Sequence, residues 1–350
     1  MSPRDKEFKT LILGGEDIEE LIEKKGINRF MDTAIDLVEE SFIKFTNKEV
    51  ENPQRKGLYF KKGLIEFMPA KLKNSAACLK VVSYYPKNSE YSLPSVIGTM
   101  ILLDAETSFP LVIADATMLT NIRTGAASGV ATKHLARKNS ENLGIIGTGA
   151  QAITQLHAIS RVLKLKEVYA NDMEKKRAKR FAKFIEEYFN LPVNVCGKKE
   201  LAENSDVLVT TTSTKRVEPP VVEYSWLKKG AHINAVGSDD PGKTELDINL
   251  IRNAKIFPDF YKQARDAGEC QGLLGSEISA ELGEVITGKK QGRENDKEIT
   301  VFDSTGTAFE DLFVFNEIAK MAEKEGVGEK KNIISTPKDP YNLYSIFSEK

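Results

Sequence analysis

Residues 143–152, LGIIGTGAQA, constrain this chain more than any other segment. A short apolar run, Leu143 to Ile146, enters a glycine turn. A helical pattern then follows, with Ala152, Leu156, Ile159 and Leu163 on one face. Gly147 and Gly149 occupy the first two places of a dinucleotide fingerprint and Ala152 the third. The first glycine permits the tight turn, the second lets backbone approach a pyrophosphate, and the third place must be small so that helix and strand pack closely. The start of such a helix offers free N–H groups and the positive end of its dipole to phosphate. A second apolar segment, 167–171, ends at Asp172, roughly 25 residues past the first glycine, where an acid suits the ribose 2′-hydroxyl of NAD and repels the 2′-phosphate of NADP. Lys175 and Arg177 lie close by and keep NADP open as an alternative.

From residue 143 onward strand and helix patterns alternate. Strands are expected at 143–147, 167–171, 193–196, 206–212, 231–236, 255–258 and 298–303. That alternation predicts an α/β fold with a doubly wound, Rossmann-type parallel sheet. The first part of the chain differs. Helical patterns at 18–22 and 30–45 precede strands at 57–68, 76–83, 95–103 and 110–114, punctuated by Pro, Gly and Asn as in a meander. Residues 119–138 read as one helix, and another is expected from about Ala308 to Lys324. The expected organisation is an NAD-binding domain at 126–320 and an α+β substrate-binding and dimerisation domain at 1–125 plus 321–350.

The 350 residues carry 50 basic and 51 acidic side chains, a net charge of -1. That balance gives no general attraction to nucleic acid or to an anionic membrane, so neither is expected as a partner. The longest apolar run, around Val96 to Leu103, is too short to span a bilayer, and the opening MSPRDKEF has no apolar signal segment. Cys78, Cys196 and Cys270 are far apart without C-x-x-C spacing, which predicts neither a disulfide framework nor a zinc site. His134, His157 and His232 lack metal-ligand spacing and are expected to have no catalytic part. No metal is expected, and a reduced, cytoplasmic protein is.

In a doubly wound sheet, ligands sit beyond the carboxyl ends of the strands. Three such ends carry polar groups. Residues 206–213 finish in a run of hydroxyls ending at Ser213, residues 233–243 place Asp239 and Lys243 just past a strand, and residues 301–306 place Ser304 and Thr305 likewise. Outside this region Arg55, Lys80 and Arg123 are candidate cations for an acidic substrate. Lys80 follows the apolar stretch 76–79, where a charge is costly without a partner.

Six segments, IEFMP (65–69), LKVV (79–82), NIRTGAAS (121–128), GTGAQ (147–151), NAVGSDDPGKTEL (234–246) and VFDSTG (301–306), resemble the ornithine cyclodeaminase/μ-crystallin family over about residues 40–325. The stretch EITVFDSTGTAFED looks most like the bacterial ornithine cyclodeaminases. The resemblance implies a homodimer and conversion of L-ornithine to L-proline and ammonia. Hydride would pass from the α-carbon to bound NAD and return after the δ-amine has closed the ring. It further implies that Arg55, Lys80 and Arg123 hold the α-carboxylate, that Glu66 binds the distal amine, and that Asp239 is the catalytic acid/base. Cofactor contacts would come from Gly147, Gly149, Ala150, Gln151, Asp172, Ser213, Ile233, Asn234, Ala235, Val236, Lys243 and Ser304, with Ser95 near them. Ser95 and Thr305 stand where the family pattern has threonine and valine, and Thr305 is expected to add a hydroxyl beside the substrate. Relatives that reduce pyrroline-2-carboxylate or act as alanine dehydrogenases need the cations but no distal-amine site, so Glu66 with Asp239 favours cyclodeamination. A lysine cyclodeaminase would use the same residues. A binding protein that holds NADP is disfavoured by the two acids, Asp172 and Asp239.

Overall fold

A computed structural model describes residues 8–213, 219–335, 337 and 339–347. Along the first part of the chain run β1 (Thr10–Leu13), α1 (Gly15–Lys25), α2 (Ile27–Thr46), β2 (Val50–Glu51), β3 (Lys56–Phe60), β4 (Gly63–Leu72), β5 (Ala76–Tyr84), β6 (Val96–Asp104), β7 (Pro110–Asp115) and α3 (Thr117–Leu135). There follow β8 (Asn142–Ile146), α4 (Ala150–Val162), β9 (Glu167–Asn171), α5 (Lys175–Phe189), β10 (Val193–Val195), α6 (Lys198–Asn204), β11 (Val207–Thr210) and β12 (His232–Ala235). Then come α7 (Ile248–Asn253), β13 (Lys255–Pro258), α8 (Tyr261–Ala267), α9 (Leu282–Ile286), β14 (Thr300–Asp303), α10 (Ala308–Glu325) and β15 (Glu329–Lys331).

Among the described residues the strands form two sheets. The second, in the order β10-β9-β8-β11-β12-β14-β13, is parallel throughout. Its strands are short and mostly buried, as expected when helices cover both faces. Chain order reverses between β8 and β11, and the carboxyl ends beside that point open a crevice, the usual ligand position in such sheets. The α/β, Rossmann-type expectation is met.

The first sheet, β15-β1-β7-β6-β5-β4-β2 with β3 added on β4, is largely antiparallel. Its inner face (Met68, Ala70, Cys78, Val82, Met100, Leu102) is buried with α2, α3 and α10 in one apolar core. The single strand expected at 57–68 is instead a hairpin, because Lys61 and Lys62 make a two-residue turn between Phe60 and Gly63. A β-bulge near Leu102 and Leu103 shifts the register against β7.

α3 joins the two parts. It packs on α2 and α10 on one side and on α4 on the other. Its small residues make this possible: a Cβ at Gly125 would lie 2.4 Å from the Thr154 carbonyl oxygen. The domain boundary expected at 125/126 falls inside α3, and the one at 320/321 inside α10.

Candidate functional site

The glycine turn shows why its residues are small. Gly147 has φ +92°, a left-handed conformation, and a Cβ there would meet the Thr211 backbone at 2.7 Å. Gly149 caps α4, and a Cβ on it would meet nothing within 4 Å, so open space lies before the first helical turn at Ala150 and Gln151. Ala152 is buried against the sheet. Asp172 turns back onto the turn itself. Its Oδ2 accepts the Thr148 N–H at 2.9 Å and the Thr148 hydroxyl at 3.0 Å, and its Oδ1 accepts the Glu174 N–H at 2.8 Å. Arg177 Nη1 lies 3.6 Å from the same carboxylate. A carboxylate has about four lone-pair sites, so Asp172 keeps capacity for a hydroxyl.

The other cofactor candidates divide. Ser304 sits at the end of β14, buried, with an Oγ that has no protein partner. Val236 is half-buried at the end of β12, and Ser213 is exposed just before residues 214–218, which lie outside the described set. Ser95 is half-buried beside β6. Ile233, Asn234 and Ala235 lie wholly inside the sheet, and Asn234 donates to Thr132 Oγ1 of α3 at 3.0 Å. The open space at Gly149, the α4 N-terminus and the orphaned Ser304 hydroxyl together fit a dinucleotide.

The loop after β12 carries Asp239 and Lys243. Glu245, fully buried, anchors it by accepting from Thr210 Oγ1 (2.6 Å), Thr212 Oγ1 (2.6 Å), Thr212 N (2.8 Å) and Gly237 N (2.8 Å). Lys243 Nζ approaches Asp239 Oδ1 at 2.6 Å and lies 5.9 Å from the Tyr84 ring centroid. Burial acts to raise the Asp239 pKa, but Lys243 and Arg55 outweigh it and hold the carboxyl below its ordinary value. Lys243 thus serves the Asp239 end of the crevice.

Arg55 links three segments. Its Nε pairs with Glu66 Oε1 at 3.0 Å, its Nη1 donates to the Thr305 carbonyl at 2.9 Å, and its Nη2 donates to the Asp239 carbonyl. Burial pushes the Glu66 carboxyl up; Arg55 opposes this and Asp239 adds to it, so the two acids sense each other. Arg55, Glu66, Tyr59, Asp239 and Gln263 line a cavity of about 140 Å³. A larger depression of about 570 Å³ lies at the C-terminal end of α2, and none of the candidate site residues lines it.

Deeper, Lys80 from β5 and Arg123 from α3 meet two acids of α10. Lys80 Nζ lies 2.5 Å from Asp311 Oδ2; Arg123 Nε lies 2.9 Å from Asp311 Oδ1, and its Nη1 2.9 Å from Glu310 Oε2. All four side chains are at most 7% exposed. Burial and the Arg123 charge push the Lys80 ammonium down to about 8, against the pull of Asp311. Sequence reasoning missed Glu310 and Asp311, although two acids inside the otherwise apolar run AFEDLFVF (308–315) are a readable signal. It also missed Asp259, which accepts from Thr305 N (2.7 Å), Gly306 N (2.7 Å) and Thr305 Oγ1 (2.8 Å). The Thr305 hydroxyl is held by Asp259 and by Gln263, itself a cavity-lining residue, both at 2.8 Å. His134 pairs with Glu39, His157 with Asn28, and His232 with Thr300, and none of these partners belongs to the site.

A switch-point crevice with a glycine turn, bordered by a charged cavity with acids and cations, defines an enzyme of the dinucleotide-binding α/β class. Residues 17–326 match the profile of the ornithine cyclodeaminase/mu-crystallin family, and the chain belongs to that family. It is 44% identical over 329 residues to an alanine dehydrogenase of Archaeoglobus fulgidus, covering 92% of this chain and 98% of that one. Among solved structures it is similar to an archaeal alanine dehydrogenase dimer with bound NAD, with a TM-score of 0.86, 42% identity and coverage of 93% and 100%. It is also similar to a lysine cyclodeaminase solved for its recognition of L-lysine, L-ornithine and L-2,4-diaminobutyric acid, with a TM-score of 0.92, 33% identity and coverage of 96% and 99%.

Proposed function

We propose that the protein is an NAD-dependent cyclodeaminase that converts L-ornithine to L-proline and ammonia. The observation that carries this reading is the placement of two carboxylates, Glu66 and Asp239, around Arg55 in one small cavity. A substrate with a distal ammonium needs an acid at its far end, whereas a simple amino acid needs only the cations. The Gly147–Gln151 turn, Asp172 and Ser304 would hold NAD, which when bound would supply both the hydride acceptor and the donor, so that the net reaction would be redox-neutral. Arg55, Lys80 and Arg123 hold the α-carboxylate and so orient the α-carbon. Glu66 exchanges its Arg55 partner for the distal ammonium and holds it within reach of the α-carbon. Asp239 Oδ2 takes the proton that makes this amine nucleophilic, and its depressed pKa keeps it ionised to do so.

A second reading is supported by one contact. The Glu66–Arg55 pair gives Glu66 a part without any distal amine, as an enzyme that aminates pyruvate or reduces pyrroline-2-carboxylate would require. The test is a product assay with catalytic NAD and L-ornithine. Proline and ammonia in equal amounts with NAD unconsumed is the expected result. No proline, with NADH consumed by pyruvate plus ammonia or by pyrroline-2-carboxylate, establishes the second reading instead.

A homodimer is part of the proposal. On the outer face of the first sheet Leu79, Ile101 and Ile113 stand in one cross-strand row beside Val81 and Leu103. These side chains are only half-buried in the single chain, and a second copy covers such a face at little cost.

A further inference from the structure

Four buried charges surround the place assigned to the substrate carboxylate. Lys80 and Arg123 are balanced by Asp311 and Glu310, so with both acids ionised the cluster is neutral. An entering carboxylate adds an unbalanced negative charge where water cannot screen it, which is costly. It also competes for a guanidinium already engaged: Asp311 holds Arg123 Nε and Glu310 holds Nη1. The backbone of Gly306, at φ +79°, closes over the remaining edge, where a Cβ would come within 2.8 Å of Nη1.

Glu310 has a feature the other members lack. Its Oε1 is buried with no hydrogen bond of good geometry, and the Thr307 hydroxyl, itself buried and without another partner, lies near enough to favour the ionised Glu310 carboxylate weakly. We propose that Glu310 is a positioning residue that takes up a proton when the substrate carboxylate enters, keeping the cluster neutral and releasing Arg123 Nη1 to the substrate. This rests on the amino-acid reading above. The charged groups facing Glu310 are Arg123 from α3, Asp311 on its own helix with Lys80 of β5 behind it, and Asp259 from the loop after β13. Asp259 is the rival acceptor: burial and the Asp303 charge push its carboxyl up to about 7, while N–H groups of Phe260, Thr305 and Gly306 and the Thr305 hydroxyl favour its ionised form. Burial pushes the Glu310 carboxyl up; Arg123 opposes, while Asp259 and Asp311 add to the rise.

The experiment is calorimetric titration of the NADH-loaded protein with L-proline, in buffers of different ionisation heat on the alkaline side of neutrality. Uptake of roughly one proton per site is expected, with affinity falling about tenfold per pH unit. Glu310→Gln keeps the shape without the charge, and both effects are expected to vanish in it. Binding without proton uptake in the natural chain overturns the inference. So does uptake that persists in Glu310→Gln, which moves the proton to Lys80 or Asp259. If that variant does not fold, the infrared difference spectrum of the natural chain decides. A new protonated-carboxyl C=O band on L-proline binding is expected, and its absence overturns the proposal. No binding of L-proline at all overturns the amino-acid reading itself, and the inference with it.

Discussion

The cavity and the cluster beneath it hold similar residues in different surroundings. Around the cavity, Arg55 pairs with Glu66 and Lys243 with Asp239, with side-chain exposures from 10% to 48%. Beneath, Lys80, Arg123, Glu310 and Asp311 are at most 7% exposed. Partly solvated pairs are worth little and part readily, so a substrate can replace one partner with its own charge. Buried pairs that lose one partner leave a charge with no compensation, so they must either stay intact or exchange a proton. The upper pairs are thus suited to chemistry, and the lower ones to fixing position.

The sharpest way to break this contrast is Asp311→Asn. It strips Lys80 and Arg123 of their shared acid, and a loss of about 3–5 kcal/mol of stability is expected, read as a fall in the denaturant midpoint. A loss below roughly 1 kcal/mol would place the lower cluster with ordinary surface pairs. Next comes Asp239→Asn, which should lower that midpoint only slightly and leave NAD binding nearly unchanged while turnover falls about 10²–10⁴-fold. Stopped-flow turnover beside a cofactor titration separates the two effects, and normal turnover would remove Asp239 from the chemistry. The smallest effect is a pH dependence with opposite placement in the two regions. Lys80 is lowered from 10.5 to about 8, so the unfolded chain binds more protons between those values and its contribution to stability grows as pH rises through that window. Asp239 is also lowered, and its contribution is present above the ordinary 3.8 and lost as pH falls below it. Denaturant midpoints across pH should therefore show an alkaline rise that Lys80→Met lacks and an acid loss that Asp239→Asn lacks.

Much of the cofactor end is legible from sequence because its causes are local. The Gly147 turn, the strand 167–171 and the polar strand ends follow from residues that are near neighbours in the chain. The cations Arg55, Lys80 and Arg123 and the acid Asp239 are also identifiable as charges beside strands and helices, and Glu66 through a segment that resembles a family pattern. The hairpin at Lys61 and Lys62 is less so, since the apolar run on either side of the turn reads as one strand. Ile233, Asn234 and Ala235 belong to a strand buried on both faces, which no alternation in the sequence reveals.

The sequence by itself determined an α/β scaffold with a dinucleotide turn, the strand ends that border the crevice, and the types of charge that serve the substrate. Only the tertiary structure decided who partners whom. Lys80 and Asp311 are 231 positions apart, Arg123 and Glu310 187, and Arg55 and the Thr305 carbonyl 250. The Thr305 hydroxyl is held by Asp259, which is 46 positions away. The physical reason is that propensity and periodicity act over a few residues. The protonation and reach of a buried charge depend on desolvation and on opposite charges within a few ångströms, which the chain supplies only once it is folded.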